Sequence, residues 1–122
     1  SQIMPYHDFT EMPIWIKAMN IAVQIFELTS NLPRTEDYGL TSQIRRSAES
    51  ISANIAEGFG KSSINDKVRF YEIAKGSAFE TKSHLFYGQK VGYFKEDSIN
   101  PLLEELNATI FEINKLKKVL KN

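Results

Sequence analysis

Apolar residues recur at helical spacing in four segments of the chain, and no segment alternates apolar and polar residues as a half-buried strand does. This pattern predicts helices over about 13–28, 40–57, 64–88 and 98–120. The residues before the first helix, 1–12, are expected to form an N-terminal arm. Short connectors join the helices. The chain is therefore predicted to be all-α, a single domain over 1–122 folded as an antiparallel up-down-up-down four-helix bundle.

Local residue types mark several of the predicted helix ends. Pro13 lies in a first turn, where its missing amide proton costs little. Ser63, followed three residues later by Asp66, predicts the start of the third helix because a serine hydroxyl can cap free amide protons. Gly58 and Gly60 predict the end of the second helix, since glycine adopts the left-handed cap conformation without steric cost.

The second predicted helix carries two parallel stripes of residues. Its core stripe consists of Leu40, Ile44, Ala48, Ile51 and Ile55. The stripe beside it is small or amide-bearing and consists of Gln43, Ser47, Ser50, Asn54 and Gly58. Such residues favour close approach of another helix or a buried hydrogen-bond network. We expect Asn54 to bond across helices and Glu57 to meet an arginine, either Arg46 or Arg69.

The first and third helices carry more apolar residues than one core requires. The predicted core face of the first helix is Trp15, Ala18, Met19, Ala22, Val23 and Phe26. The candidates for an oligomer interface, which lie outside the predicted core faces, are Ile14, Ile21, Ile25, Val68, Phe79 and Phe86. A soluble monomer seldom exposes such stripes, so a closed cyclic homo-oligomer is expected.

Composition narrows the possible functions. The 122 residues include 15 basic and 15 acidic side chains, so the net charge is zero and nucleic-acid binding must be argued from local patches. Cysteine is absent and there are two histidines, which disfavours thiolate and histidine-rich metal sites. The sequence shows neither a signal-peptide pattern nor an apolar run long enough to cross a membrane, so a cytoplasmic location is expected.

Motifs for catalysis are also missing from the sequence. A di-iron bundle would need a Glu-x-x-His motif on each of two helices, whereas Glu80 and His84 form a single pair at a spacing of four. Neither a phosphate-binding loop nor a nucleophile elbow is present. We therefore expect no enzymatic activity, no cofactor and no metal.

Cations offer the main hypothesis for a binding site. The candidates for contacts with nucleic acid are Arg45, Lys61, Arg69, Lys75 and Lys82. Arg46 is interpreted as an ion-pair residue. The lysines of segment 115–121 are interpreted as a solvated helix end that complements the helix dipole. Repetition of a weak cationic patch around a ring would create a basic band that binds phosphates without reading sequence.

A longer motif resembles a known family. It comprises 38–48, Ser50-Ile51 and the Asn-Ile-Ala-Glu-Gly run 54–58. Further matches are Trp15, Ala18, Leu32-Pro33, Glu36, Arg69-Phe70, Ile73-Ala74, Gly76-Ser77 and Glu80. The combination resembles the four-helix-bundle proteins named after intervening sequences of 23S ribosomal RNA genes. The motif residues expected to have structural roles are Arg46, Asn54, Glu57, Gly58, Gly76, Ser77 and Glu80.

The resemblance also implies possible partners. Relatives of that family include the accessory variability determinant proteins of diversity-generating retroelements, which form pentameric rings and bind a reverse transcriptase and nucleic acid. It therefore implies a non-enzymatic homo-oligomeric scaffold or adaptor, with a pentamer as the assembly and RNA or DNA and a reverse transcriptase or other protein as partners. The alternative is an oligomeric module that binds proteins only.

Overall fold

Four long helices make up most of the computed structural model, which describes residues 6–122. They are α1 (Pro13–Leu28), α2 (Leu40–Gly60), α3 (Ile64–Lys90) and α4 (Glu96–Lys121). Single-turn 3-10 helices occur at Phe9–Glu11, Thr29–Asn31 and Arg34–Glu36. The described range contains no strand. Each of α1 and α3 packs against both α2 and α4. Where α3 contacts its neighbours, residue numbers rise along one helix and fall along the other, so the helices are antiparallel. The predicted all-α antiparallel bundle is confirmed.

The segment before α1 packs against the bundle. Met12 is buried, and the Phe9 ring meets the Trp15 ring edge-on with 5.2 Å between centroids. The Asp8 side chain accepts the Thr10 amide and caps the short helix. The part of the predicted arm that covers residues 1–5 lies outside the described residues.

The core face of α1 differs from the predicted one. This helix buries Ile14, Ala18, Ile21 and Ile25, whereas Val23 and Phe26 are 50% and 57% exposed. Because α1 is apolar on most of its circumference, two stripes satisfy the helical period, and packing against α2 and α4 selects the isoleucine stripe. The assignment of the three isoleucines to an oligomer interface is therefore wrong.

Small polar residues hold α2 against α3. The Ser47 and Thr81 hydroxyls lie 2.8 Å apart, and those of Ser50 and Ser77 lie 2.9 Å apart. These short side chains let the helices approach closely while satisfying one another's polar groups. Asn54 donates to the carbonyl and the hydroxyl of Ser50 on its own helix, so the predicted direct bond across helices is wrong. Asn54 is connected to α3 through the Ser50 hydroxyl, which lies within hydrogen-bond distance of Ser77.

A glycine makes room for the largest buried side chain. Gly58 lies inside α2, and a Cβ atom built there would be 2.6 Å from Cε1 of Tyr71. The left-handed cap predicted at Gly58 is wrong, because Gly92 alone among residues 6–122 has a positive φ. The Tyr71 hydroxyl is buried without a hydrogen-bond partner in this range, and burial raises its pKa to about 12.

Candidate functional site

Three phenylalanines form an exposed aromatic face on α3 and α4. Phe79 is 51% exposed, Phe86 45% and Phe111 65%. The Lys82 ammonium donates to Oδ1 of Asn107 at 2.7 Å, and this antiparallel contact places Phe79 level with Phe111. Phe79 and Phe86 were predicted to form an interface, whereas Phe111 was not found from the sequence because it adjoins the core residue Ile110.

The third interface candidate on α3 has a different environment. Val68 is half-buried and packs against the core. It therefore contributes to the monomer's own packing, and its assignment to an oligomer interface is not supported.

A second apolar strip runs along the outer side of α1. This α1 strip consists of Ile16, Met19, Val23 and Phe26, with Ile16 45% exposed and Met19 half-buried. Because α1 packs on α2 and α4, it lies diagonally across the bundle from α3. The two apolar surfaces therefore face different directions.

The candidate cation Arg45 is bound within the molecule. Its Nε donates to the Thr29 hydroxyl at 2.8 Å, and Nη2 donates to the Phe26 carbonyl at 3.1 Å. The guanidinium also lies over the Phe26 ring, 4.1 Å from its centroid. Arg45 is a predicted candidate for a nucleic-acid contact, whereas in the structure its guanidinium binds the carbonyl end of α1.

Two further candidates, Lys61 and Arg69, both lie close to the Phe70 ring. Their charged groups are 4.9 and 4.6 Å from its centroid. Each also has an acidic neighbour at 3.9 Å, Glu57 for Lys61 and Asp66 for Arg69. Exposed pairs of this length contribute little to stability. Both cations remain at the surface, but with their charge locally balanced.

The other two candidates lie beside the contact between α3 and α4. Lys82 donates to Asn107 as described, and Lys75 lies 2.8 Å from Glu72, which also contacts Lys117. Hydrogen bonds from Lys117 and Lys75 hold the pKa of Glu72 below its ordinary value, and the bond to Glu72 raises the pKa of Lys75. The contact of Lys82 was not predicted from the sequence, because its partner Asn107 lies on another helix, whereas Lys75 pairs with Glu72 on its own helix.

The motif residues divide into buried and solvent-facing sets. Ser77 and Gly58 belong to the α2–α3 contact. Arg46 is exposed and forms no ion pair with residues 6–122, so the predicted pairing of Glu57 with an arginine is wrong. Glu80 is also exposed and lies 3.1 Å from His84 on its own helix.

The remaining motif residue, Gly76, is exposed on α3. A Cβ atom built there would contact nothing within 4 Å. The packing of a single subunit therefore does not require glycine at this position.

A polar cavity lies between the start of α2 and the end of α3. It has a volume of about 310 Å³ and is lined by Glu36, Gly39, Leu40, Gln43, His84 and Tyr87. The Glu36 carboxylate accepts the Leu40 amide at 3.0 Å and the Tyr93 hydroxyl at 2.9 Å. The bond to Glu36 raises the pKa of Tyr93. Sequence reasoning missed this site because three separate segments build it.

An apolar groove lies at the opposite end of the bundle. It measures about 250 Å³ and is lined by Tyr6, Met12, Pro13, Ile14, Glu112, Lys115, Leu116 and Val119. It joins the segment before α1 to the last turns of α4.

Among residues 6–122, no three His, Asp or Glu side chains are grouped as metal ligands would be. No helix in this part of the chain is long and apolar enough to span a membrane.

Comparison with known proteins places the chain in a family. A family model described as 23S rRNA-intervening sequence protein matches residues 10–115. The chain belongs to this family. A comparison of this 23S rRNA-intervening sequence family protein with curated proteins found no match.

A solved structure shares the fold of this family member. It is a protein of unknown function from the S23 ribosomal protein family of Bacteroides thetaiotaomicron, with a TM-score of 0.77 and 23% sequence identity. The alignment covers 86% of this chain and 98% of that one. At this level of identity the likeness extends to the fold alone.

Proposed function

We propose that this 23S rRNA-intervening sequence family protein is a non-enzymatic homo-oligomeric scaffold. The supporting observation is the pair of apolar surfaces, the aromatic face and the α1 strip, whose large side chains are 45–65% exposed apart from half-buried Met19. Exposed apolar patches of this kind mark protein interaction sites. Their arrangement on two different sides of one small bundle favours contact between copies.

The positions of the two surfaces favour a ring. If the aromatic face of one subunit packs on the α1 strip of the next, the contact is head-to-tail, and such contacts close into a ring when the rotation between subunits permits. The central residues of this interface would be Phe79, Phe111 and Val23. A cyclic assembly is also what the resemblance implied.

Light scattering combined with size-exclusion chromatography tests the assembly. The wild type should give a mass several times that of one subunit, whereas Phe79→Glu and Val23→Glu should each shift it toward the 14.0 kDa monomer, because a charge would be buried without a partner. Ile73→Glu is the matched control, since Ile73 is 43% exposed on the same helix but faces elsewhere. A monomeric wild type at micromolar concentration would contradict the proposal. Loss of assembly in the control alone would move the interface to the other side of α3.

A second candidate function is association with nucleic acid through the end of α4. Lys115, Lys118 and Lys121 are exposed and form no ion pair with residues 6–122, unlike the candidates Lys61, Arg69 and Lys75. A ring would repeat this patch in every subunit. Backbone-directed binding of this type depends strongly on salt and little on sequence.

Titration of labelled RNA and DNA at about 50 and 200 mM salt tests this second function. Lys118→Ala should weaken binding and reduce the slope of log affinity against log salt by about one unit per lost phosphate contact. Arg45→Ala is the control, because Arg45 is held on α1 and should leave the slope unchanged. Absence of binding at the lower salt would favour a scaffold that contacts proteins only.

A further inference from the structure

The carboxylate of Glu36 is held at one wall of the polar cavity. Glu36 ends a 3-10 helix, and its two oxygens accept the Leu40 amide and the Tyr93 hydroxyl. A Cβ atom at Gly39 would lie 2.8 Å from Oε1 of Glu36, so glycine at this position lets the carboxylate lie against the backbone. Three separate contacts therefore fix the position of the Glu36 carboxylate before any ligand binds.

This carboxylate has no cationic partner among residues 6–122. Its two donors are neutral, and the start of α2 adds only a partial positive charge. A carboxylate offers about four acceptor directions. Two are used, so one direction on each oxygen remains for a ligand that brings a positive charge.

The other walls of the polar cavity contribute an aromatic ring, a side-chain carboxamide and an imidazole. Tyr87 is 52% exposed, Gln43 carries a carboxamide, and the His84 ring lies 3.1 Å from Glu80. A flat cation can stack on a tyrosine ring while donating to a carboxylate. A phosphate, by contrast, would meet the negative charge of Glu36 with no lysine or arginine lining the cavity.

We propose that this cavity binds the guanidinium group of an arginine from a partner protein. Guanidinium is planar, permanently charged and presents parallel N–H donors that match the two oxygens of a carboxylate. In this arrangement Glu36 accepts two hydrogen bonds, Tyr87 stacks on the guanidinium plane and the Gln43 carbonyl accepts a remaining N–H. The site adds a specific protein contact to the scaffold and stands independently of ring formation and of nucleic-acid binding.

Saturation-transfer NMR on the full chain tests the ligand chemistry. The probe is N-acetylarginine amide, and the matched control is the citrulline analogue, which has the same shape but no charge. Arginine should bind saturably and citrulline about tenfold more weakly, because charge-assisted hydrogen bonds are roughly twice as strong as neutral ones. Equal binding of the two would overturn the proposal. Stronger binding of guanosine than of arginine would also overturn it and point to a nucleobase site.

Two variants locate the binding. Glu36→Gln removes the charge at constant size and should weaken arginine binding about tenfold. Tyr87→Leu removes the stacking surface while leaving Glu36 in place, so it tests the site even if Glu36→Gln disturbs the start of α2. Tyr38→Ala is the control, since Tyr38 is 97% exposed beside the cavity. Unchanged arginine affinity in both Glu36→Gln and Tyr87→Leu would place the binding elsewhere and refute the assignment.

Discussion

Replacing Gly58 with alanine should destabilise the protein, although alanine normally favours a helix over glycine by about 1 kcal/mol. The new Cβ would lie 2.6 Å from Cε1 and 3.0 Å from Cδ1 of Tyr71, and Tyr71 is fully buried. The ring cannot move without displacing its neighbours. Forcing an extra carbon into a packed core costs about 1–3 kcal/mol. A contact of 2.6 Å with a buried ring belongs to the upper part of that range, about 2–3 kcal/mol, and subtracting the helix gain of about 1 kcal/mol leaves an expected fall in the free energy of unfolding of about 1–2 kcal/mol.

Gly76→Ala provides the matched comparison, because a Cβ atom there meets nothing within 4 Å. It should raise the free energy of unfolding by roughly 0.5–1 kcal/mol. Urea denaturation followed by circular dichroism measures both variants, at one protein concentration because self-association couples to folding. A Gly58→Ala variant as stable as the wild type would refute the close approach of α2 to the Tyr71 ring.

Three further predictions concern buried or bridging side chains. Tyr71→Phe should raise the free energy of unfolding by about 1 kcal/mol, because it removes a buried hydroxyl that has no partner in residues 6–122; a lower urea midpoint would contradict this. The pKa of Tyr71 is raised from 10.0 to about 12, so the unfolded chain releases this proton first and stability should fall by about 3 kcal/mol in total between pH 10 and 12; denaturation across that range should show no such contribution in Tyr71→Phe. Arg45→Ala should lower the free energy of unfolding by about 1 kcal/mol by removing its hydrogen bonds to the Thr29 hydroxyl and the Phe26 carbonyl, and an unchanged thermal midpoint would show that these bonds contribute nothing.

The helical spacing of apolar residues predicted the architecture, because the packing of a helix bundle depends on the positions at which these residues recur along each helix. α2 buries the whole predicted stripe from Leu40 to Ile55, and the capping serine Ser63 does accept the Asp66 amide at the start of α3. The exposure of Phe79 and Phe86 also agrees with their predicted position outside the core faces. These features depend on residues that are close together in the sequence.

The errors lie where residues from distant segments meet. Arg45 looks like a free cation in the sequence, and only the end of α1 beside it turns it into a cap. The cavity beside Glu36 likewise could not be predicted from the sequence, because Tyr87 lines it from the end of α3 and Tyr93, in the turn that follows, bonds to Glu36. Prediction of such contacts requires the positions of neighbouring helices.

The sequence by itself determined the number of helices, their approximate limits and the all-α class, since these depend on local spacing and on residues that start or end helices. The tertiary structure alone decided which of two apolar stripes of α1 entered the core. Both stripes satisfy the same period, and burial against α2 and α4 placed Ile21 and Ile25 inside and left Val23 and Phe26 at the surface. It also decided how Arg45 and Lys82 are held within the subunit, because their hydrogen-bond acceptors lie in distant segments that only packing brings close.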